Sequence, residues 1–334
     1  MEKLSNQEKL RPWMGFVVQA GFLILFVSVG AHMQRTWGIP GLIASELMFA
    51  VVSVIYCLGR KVKFKEMFPI KPITLKDFFG TVFLGIAGFM FSMVGIGIAL
   101  TVLPKSFRSE AVGLSDMLYG TMPYLVLVFV AALLPAICEE TMERGCVLSH
   151  FRGVEKEWVV VLLMGLFFGI MHMSPLRFLS TATLGAILSY LMVKKNNILL
   201  PMILHFANNF VAASIGILGS GTSSAQAASD SIMEVSGLMS LGVYLFVACG
   251  APIFLVLGMM LIDSDNHKAK RFLYAGIISA AMFFLGLALL YITVMSEPEF
   301  DRIYDQVVQE RSAIVWYNGK SDIDTRWLTY DQSR

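Results

Sequence analysis

The run FFGTVFLGIAGFMFSMVGIGIALTVL, residues 78–103, contains no charged side chain. As a helix it would measure roughly 39 Å at about 1.5 Å per residue, more than the ~30 Å hydrocarbon core of a bilayer. Lipid offers no partners to free backbone amides, so such a run is expected to cross as an α-helix. Gly85, Gly88, Gly95 and Gly97 lie inside the run with no strand before them, which indicates close helix packing and not a phosphate loop.

Apolar runs of this kind recur along the chain, which is 56% hydrophobic and only 15% charged. The predicted spans are residues 13–33, 39–58, 78–103, 121–149, 157–173, 177–193, 198–218, 238–262 and 272–295. The first run is too long for the apolar part of a cleavable signal peptide, and we interpret it as a span. The sequence therefore predicts an all-α, polytopic integral membrane helical bundle with about nine transmembrane helices.

Basic residues in the connections predict the orientation. One set of alternate connections carries 16 lysines and arginines and the other set carries 4. Because basic loops stay in the cytoplasm, the N-terminus is predicted to be cytoplasmic and, with nine spans, the C-terminus external. The segment 219–236, rich in Gly, Ser and Ala, is then an external loop. In the external tail, helical spacing of the apolar residues at 300–308 predicts an amphipathic helix that lies on the bilayer, binds a partner, covers the site or packs on the protein itself.

The cysteines and the net charge exclude several classes of protein. The four cysteines form no CxxC pair and lie in apolar segments, so neither a disulfide framework nor a cysteine-rich zinc site is expected. Cys138 precedes Glu139 and is conceivable as a nucleophile, but a buried, inert thiol fits its apolar setting better. A net charge of +2 gives no reason to expect nucleic acid as a partner.

Three polar groups interrupt the predicted spans. They are EETMER at 139–144, FGIMH at 168–172 and HFANN at 205–209. An ionisable side chain at bilayer depth costs about 2.5–3.5 kcal/mol or more, so such residues usually face a cavity and have a function there. Their presence on three separate segments predicts one polar site between helices.

Helical spacing sorts the first group into two faces. Glu140 and Arg144 are four residues apart with the acid first, which favours an ion pair on one face. Glu139 lies about 100° around the helix from Glu140 and shares a face with Glu143. Geometry thus leaves Glu139 without an obvious partner. Desolvation raises the proton affinity of such a carboxylate, which is the property that a general base needs. The alternative is that the whole group is a structural ion-pair node.

The other two groups are ambiguous when taken singly. His172, one turn after Phe168, fits either an interfacial histidine or a site residue. His205 and Asn209 project from one face of the seventh span, where both can donate hydrogen bonds to an oxyanion or can join two helices. The functional interpretation gains from the coincidence of all three groups in one chain.

The ordered motifs EExxxR at 139–144, FxxxH at 168–172 and HxxxN at 205–209 resemble those of the CAAX protease and bacteriocin-processing family, whose best-known members are the type II CAAX prenyl endopeptidases. The similarity covers roughly residues 120–215. It implies a glutamate-type intramembrane endopeptidase with no metal or other cofactor and no covalent intermediate. Mapped onto this chain, Glu139 and His172 would activate a water molecule, and His205 and Asn209 would stabilise the oxyanion.

The resemblance also implies supporting residues. Glu140, Arg144 and, from the second motif, Phe168 would support the site. Glu143 is a departure, because many family members carry a bulky apolar residue just before the arginine. An extra carboxylate one turn from Glu139 would strengthen proton binding there or attract a cation, so it joins the supporting residues of this chain.

The expected organisation has four parts. They are N-terminal transmembrane helices at 1–120, a catalytic core at 121–218, an external loop with the last helices at 219–295, and an extracytoplasmic soluble tail at 296–334. The resemblance implies a multi-pass protein of a prokaryotic cytoplasmic membrane. Its partners would be the lipid bilayer, a peptide or membrane-protein substrate, and a protein bound through the tail.

Other functions remain open at this point. A non-proteolytic scaffold or immunity protein would keep the fold and bind a peptide, a toxin or a membrane partner. An ion- or proton-coupled transporter would use the Glu/His cluster as a relay, although no inverted repeat is visible. A zinc protease would use Glu139, His172 and His205 as ligands, although no HExxH motif is present.

Overall fold

The computed structural model describes residues 10–108, 122–220, 237–263 and 268–296 of the chain. Within these ranges the regular elements are all helical, without a strand. Most of the loop predicted at 219–236 and all of the helix predicted at 300–308 lie outside them.

Nine apolar helices make up the bundle. They are α1 Pro12–Trp37, α2 Ile39–Gly59, α3 Leu75–Val102, α4 Tyr124–Phe151, α5 Glu157–Met171, α6 Pro175–Lys195, α7 Leu199–Ser220, α8 Gly237–Ile262 and α9 Lys268–Met295. All but α5 are long and apolar enough to cross a membrane, so eight candidate spans occur in the described residues. A one-turn helix Phe64–Met67 and a 3₁₀ turn Lys105–Arg108 complete the described elements. The protein is therefore a multi-pass, all-α helical bundle, as predicted.

The helix α5 is the short member of the set. Its residues Glu157–Met171 span about 22 Å, less than the ~30 Å hydrocarbon core. It corresponds to the predicted span 157–173, so each predicted span has a helix in the structure. The eight long helices agree with eight of these predictions, and a full crossing by α5 remains a prediction.

Several helices depart locally from α-helical geometry. Wider π turns occur in α1 at Phe26–Gly30 and in α4 at Phe129–Leu133 and Thr141–Val147. Helix α4 then ends in a tighter 3₁₀ turn, Leu148–Phe151. Single π turns inside α-helices are frequent at functional sites, and the second π turn of α4 directly follows the paired glutamates.

Helices α5 and α6 form a close antiparallel hairpin. Glycine permits this approach, since a Cβ on Gly165 would lie 2.7 Å from the Ala182 carbonyl oxygen and one on Gly169 would lie 2.9 Å from the Ala182 Cβ. In lipid, small residues at the interface allow the dispersion contacts that hold helices together. The connection passes through Met173 in a left-handed conformation, with φ of 47°. The chain therefore turns from α5 to α6 immediately after His172.

Ion pairs gather at one end of the bundle. Lys194 Nζ lies 2.7 Å from Glu157 Oε2 and 2.7 Å from Asp263 Oδ2, while Lys195 Nζ lies 2.7 Å from Asp77 Oδ1. These contacts place the starts of α3 and α5 beside the ends of α6 and α8. The predicted alternation requires this arrangement of the four helices. A cytoplasmic N-terminus stays a prediction.

The outer surface of the bundle is apolar. Leu75, Val102 and Leu125 are each more than 70% exposed, as expected of side chains that face lipid acyl chains. The charged residues Glu140, Glu143 and Arg144, by contrast, are fully buried. The fold thus places its polar groups between helices and its apolar side chains outside.

Candidate active site

A buried ion pair between two residues of α4 lies at the centre of the site. Arg144 Nη1 donates to Glu140 Oε1 at 2.9 Å, the pairing that the four-residue spacing predicts, and both side chains are fully buried. The long arginine side chain reaches back across the π turn Thr141–Val147. A guanidinium stays charged in proteins, so at this depth it needs a carboxylate partner.

The same guanidinium also joins α5 and α6 to α4. Arg144 Nη2 donates to the Gly185 carbonyl oxygen at 2.9 Å, and its guanidinium carbon lies 4.6 Å from the centre of the Phe168 ring. The aromatic face contributes a favourable cation–π contact in a desolvated setting. Gly185 makes room for that ring, because a Cβ there would lie 2.6 Å from the Phe168 Cβ. Three helices therefore meet around one buried positive charge.

His205, on α7, lies between the two glutamates. Its Nδ1 is 2.9 Å from Glu140 Oε1, and its Nε2 is 4.0 Å from Glu139 Oε2. Since Glu140 pairs with Arg144 as a carboxylate, His205 Nδ1 is the donor in the first contact. This leaves Nε2 turned toward Glu139, so Glu140 orients the histidine and Glu139 faces its other nitrogen.

Phe168 brings the second motif into the same cluster. Its ring centre lies 4.8 Å from that of His172 and 5.6 Å from that of His205, both in edge-on geometry. His172 Nδ1 lies 2.8 Å from the Phe168 carbonyl oxygen, which can only accept a hydrogen bond. The proton of a neutral His172 is thereby held on Nδ1, and Nε2 keeps its lone pair. Phe168 thus contacts both His172 and His205, and His205 in turn faces Glu139.

Asn209 lies one turn beyond His205 on α7 and is half-buried. Its Oδ1 accepts a hydrogen bond from Asn208 Nδ2 at 3.2 Å. That bond orients the amide so that Nδ2 is left to donate elsewhere. The described residues include no direct contact from Asn209 to Glu139 or His172, so its place in the site depends on the shared face of α7.

Glu143 takes a different direction from the one expected. It is fully buried, and its Oε1 accepts from Gln19 Nε2 of α1 at 3.0 Å. The sequence placed Glu143 on the face of Glu139 because an α-helix turns 100° per residue. The π turn that begins at Thr141 changes the rotation between successive residues, so the Glu143 side chain points to α1 and not to the face of Glu139. Glu143 therefore joins the region outside the family motifs to the site segment.

Gln19 and Glu46 are buried polar residues beside the site that belong to none of the three sequence motifs. Gln19 on α1 and Glu46 on α2 are each only 6% exposed. Glu46 interacts electrostatically with Glu139 and Cys138 of α4. The available signal was a single carboxylate inside the predicted span 39–58. It carries the same desolvation cost as the motif residues, although no polar neighbour in sequence accompanies it.

The described side chains provide no metal-binding group. Among them, no three His, Cys, Asp or Glu residues are arranged to hold a metal ion. The zinc alternative for Glu139, His172 and His205 thus finds no ligand set in this part of the chain. Within the cluster, Glu140 and Phe168 already bond the Nδ1 atoms of the two histidines.

An apolar cavity of about 430 Å³ lies beside α7, bordered by α3 and α8. Its walls are phenylalanine, methionine and aliphatic side chains, and Asn208 is the one amide among them. Asn208 is also the residue that orients Asn209. The cavity thus adjoins the same turn of α7 as the third motif, and it suits an apolar group.

Comparison with known proteins agrees with the motifs. The family model Rce1-like, described as type II CAAX prenyl endopeptidase Rce1-like, matches residues 121–211. This segment contains the three motifs and runs through α4, α5, α6 and part of α7. No curated protein and no solved structure matches the chain. The resemblance inferred from the sequence is thus confirmed: residues 121–211 of this multi-pass membrane protein are similar to the family of type II CAAX prenyl endopeptidases.

Proposed function

We propose that this protein is an intramembrane endopeptidase of glutamate type, which cleaves a peptide or membrane protein at a site between α4, α5 and α7. The family similarity of residues 121–211 supports the class of reaction. The observation that supports the mechanism is a chain of contacts: Phe168 touches the rings of His172 and His205, and His205 Nε2 faces Glu139.

Glu139 is the general base in this mechanism. Glu140 Oε1 accepts hydrogen bonds from both Arg144 and His205, so this carboxylate is held as the partner of the ion pair. Glu139 makes no hydrogen bond to the described residues, and its side chain is 16% exposed where that of Glu140 is fully buried. The 4.0 Å between Glu139 Oε2 and His205 Nε2 exceeds a direct hydrogen bond but suits one bridging water. This water is the nucleophile.

His172 helps to position the nucleophile. Its Nδ1 donates to the Phe168 carbonyl, so the lone pair of Nε2 can accept a proton of the water. Contact with the edge of the Phe168 ring holds the imidazole in place. With Glu139 taking one proton of the water and His172 accepting a hydrogen bond from the other, an oxygen lone pair is directed at the scissile carbonyl carbon.

The negative charge of the tetrahedral intermediate is stabilised from α7. In the proposed mechanism His205, held at Nδ1 by Glu140, donates from a protonated Nε2, and Asn209 donates from Nδ2. Two oriented donors in a water-poor site stabilise an oxyanion far better than they would in solution. When the carbon–nitrogen bond breaks, Glu139 returns its proton to the leaving amine. No covalent intermediate and no metal take part.

The apolar cavity beside α7 supports a substrate with an apolar segment next to the scissile bond. A lipid-modified peptide, such as a prenylated CAAX protein, or an apolar transmembrane segment meets this requirement. Asn208 lines the cavity and also donates a hydrogen bond to Asn209. A group bound in the cavity would therefore contact Asn208 and, through this hydrogen bond, influence the orientation of Asn209, the proposed oxyanion donor. We place the protein in a prokaryotic cytoplasmic membrane, with the tail 296–334 available to a protein partner.

The test compares membrane peptides from cells that express the wild-type protein, Glu139→Gln or Glu155→Gln. Glu155 is an exposed carboxylate in the connection before α5, so it is a matched control for the chemical change. Removing the base should lower cleavage by about 10²–10⁴-fold while the protein still accumulates. Products should therefore depend on the wild-type protein and persist with the control. Full product formation by Glu139→Gln refutes Glu139 as the base, whereas the absence of any product that depends on the wild-type protein ends the protease proposal and favours a scaffold.

A further inference from the structure

Glu46 is a buried carboxyl that the proposed mechanism does not use. It is the eighth residue of α2, about 10 Å along the axis from Ile39, and it lies outside the segment that matches the family. Its side chain is 6% exposed, and its Oε2 is fully enclosed without a hydrogen-bond partner. Neither oxygen makes a hydrogen bond or ion pair to a described residue. A neutral acid is the form that such a site accommodates, because an unpaired carboxylate loses its hydration.

Helix packing brings this carboxyl to the active site. Helix α2 packs directly on the part of α4 that carries Cys138, Glu139 and Glu140 and on the π turn that follows. Glu46 interacts electrostatically with Glu139 and Cys138. The two carboxyls of Glu46 and Glu139 therefore occupy one low-dielectric region.

The charges around Glu46 do not balance if every carboxyl is ionised. On the adjacent part of α4, Glu140 is neutralised by Arg144, and Glu143 is bonded to the uncharged Gln19. Glu139 approaches His205 at 4.0 Å, and Arg144, the other cation that acts on it, is already paired with Glu140. At least one proton must therefore reside on the carboxyls of this region, since a low dielectric does not tolerate several uncompensated negative charges.

Among the helices that the structure describes, no other element supplies a cation to Glu46. His32 and Arg35, on the last turns of α1, are exposed and make no ion pair with it. The charged residues Lys65 and Glu66 follow the far end of α2, about 20 Å along the axis from Glu46. The carboxyl group whose charge acts on Glu46 is therefore that of Glu139.

We propose that Glu46 is a positioning residue that shares one proton with Glu139, so that Glu46 is the neutral acid and Glu139 the ionised base in the resting site. The catalytic consequence of this inference rests on the proposed function. The protonation of Glu46 does not depend on it. Two carboxyls in one apolar region titrate as a pair, and the first proton to leave belongs to the more hydrated member. Glu139, the more exposed of the two, is that member. Ionisation of Glu46 at higher pH then opposes the negative intermediate and lowers the rate.

Infrared spectroscopy of the reconstituted protein tests the proton directly and needs no substrate. The wild type should show the carbonyl stretch of a protonated carboxyl near neutral pH, and Glu46→Gln should lose it. Ser53→Ala is the matched control, because Ser53 is buried on the same helix and bonds only its own backbone at Phe49. In Glu139→Gln the neighbouring negative charge is gone, so the band should disappear at a pH about one unit lower or more. Absence of a Glu46 band, or an unchanged midpoint in Glu139→Gln, overturns the inference.

The pH profile of cleavage tests the catalytic consequence. With Glu46→Gln the alkaline fall in rate should move to higher pH or vanish, while Ser53→Ala keeps the wild-type profile. A Glu46→Gln profile that matches the wild type overturns the partnership, even if the infrared band is present. A wild-type protein that cleaves nothing counts against the proposed function alone, since the infrared midpoints still decide whether Glu46 and Glu139 share a proton.

Discussion

Substitution of Glu140 by glutamine tests whether the two adjacent glutamates have different roles. We expect Glu140 to stabilise the fold as the partner of Arg144, and Glu139 to act in catalysis. Glu140 Oε1 accepts from Arg144 Nη1 and from His205 Nδ1, each at 2.9 Å, and the three side chains are at most 3% exposed. Removing one partner of a buried pair costs about 3–5 kcal/mol, because the other charge stays in a low dielectric. The amide oxygen of glutamine can still accept, so we expect a loss of about 3 kcal/mol, roughly a hundredfold in the folding equilibrium constant.

The comparison is Glu139→Gln, the same chemical change one residue earlier. Glu139 makes no hydrogen bond in the described part of the chain and is 4.0 Å from its nearest cationic neighbour. Its free energy of unfolding should therefore stay within about 1 kcal/mol of the wild type. Thermal and denaturant unfolding of the purified variants in one detergent measures both values. Equal stability of the two variants would refute the assignment of Glu140 as the structural partner and Glu139 as the free carboxylate.

A second substitution isolates the charge on Arg144. If the buried guanidinium is what destabilises Glu140→Gln, then adding Arg144→Gln should cost far less than it does in the wild-type background. Strict additivity of the two changes would show that the residues do not act as a pair. The contacts of Arg144 with Gly185 and Phe168 are lost in both backgrounds, so the double-mutant cycle cancels them.

Three further predictions concern packing, catalysis and topology. Gly185→Ala should destabilise by about 1–3 kcal/mol, since the methyl group overlaps Phe168, whereas Gly276→Ala meets nothing within 4 Å; thermal unfolding of both variants decides this. Asn209→Ala should lower turnover by about 10²–10³ if the amide donates to an oxyanion, and a rate within twofold of the wild type contradicts that role. A cysteine at Ser312 should react with an impermeant reagent in intact cells; labelling only after lysis would make the predicted span count wrong by one.

Length and composition were sufficient to predict the helices. An apolar run of about 20 residues has only one low-energy backbone in lipid, so each predicted span has a helix at nearly the same position. The run 39–58, for example, is the helix Ile39–Gly59. The pairing of Glu140 with Arg144 also follows from local geometry, because a four-residue spacing does not depend on the tertiary structure.

The direction of Glu143 could not be predicted in this way. The π turn Thr141–Val147 has no signature in the sequence that distinguishes it from an α-helix, yet it changes the face on which later residues lie. The contact with Gln19 further depends on how α1 packs, which is a long-range property. The same limit applies to Glu46, whose neighbours come from α4 and not from its own span.

The convergence of the motifs was expected from function more than from geometry. With straight helices over the predicted spans 121–149, 157–173 and 198–218, His172 would lie nearer the opposite side of the membrane from Glu139 and His205. In the structure α5 is short, and its end meets α4 and α7 through Phe168. The sequence shows the length of an apolar run, but the depth at which that run lies depends on its neighbours.

The shortness of α5 has a consequence for the surrounding lipid. A helix of about 22 Å falls roughly 8 Å short of the hydrocarbon thickness, a hydrophobic mismatch that the bilayer must absorb. If α5 crosses as predicted, thinner lipid or entering water at its C-terminal end would lie beside His172 and the turn to α6. The proposed hydrolysis consumes water in a medium that holds almost none, and such a local defect would bring the aqueous phase toward the cluster. The rate should therefore depend on acyl-chain length, with thick bilayers slowing a reaction whose residues are unchanged.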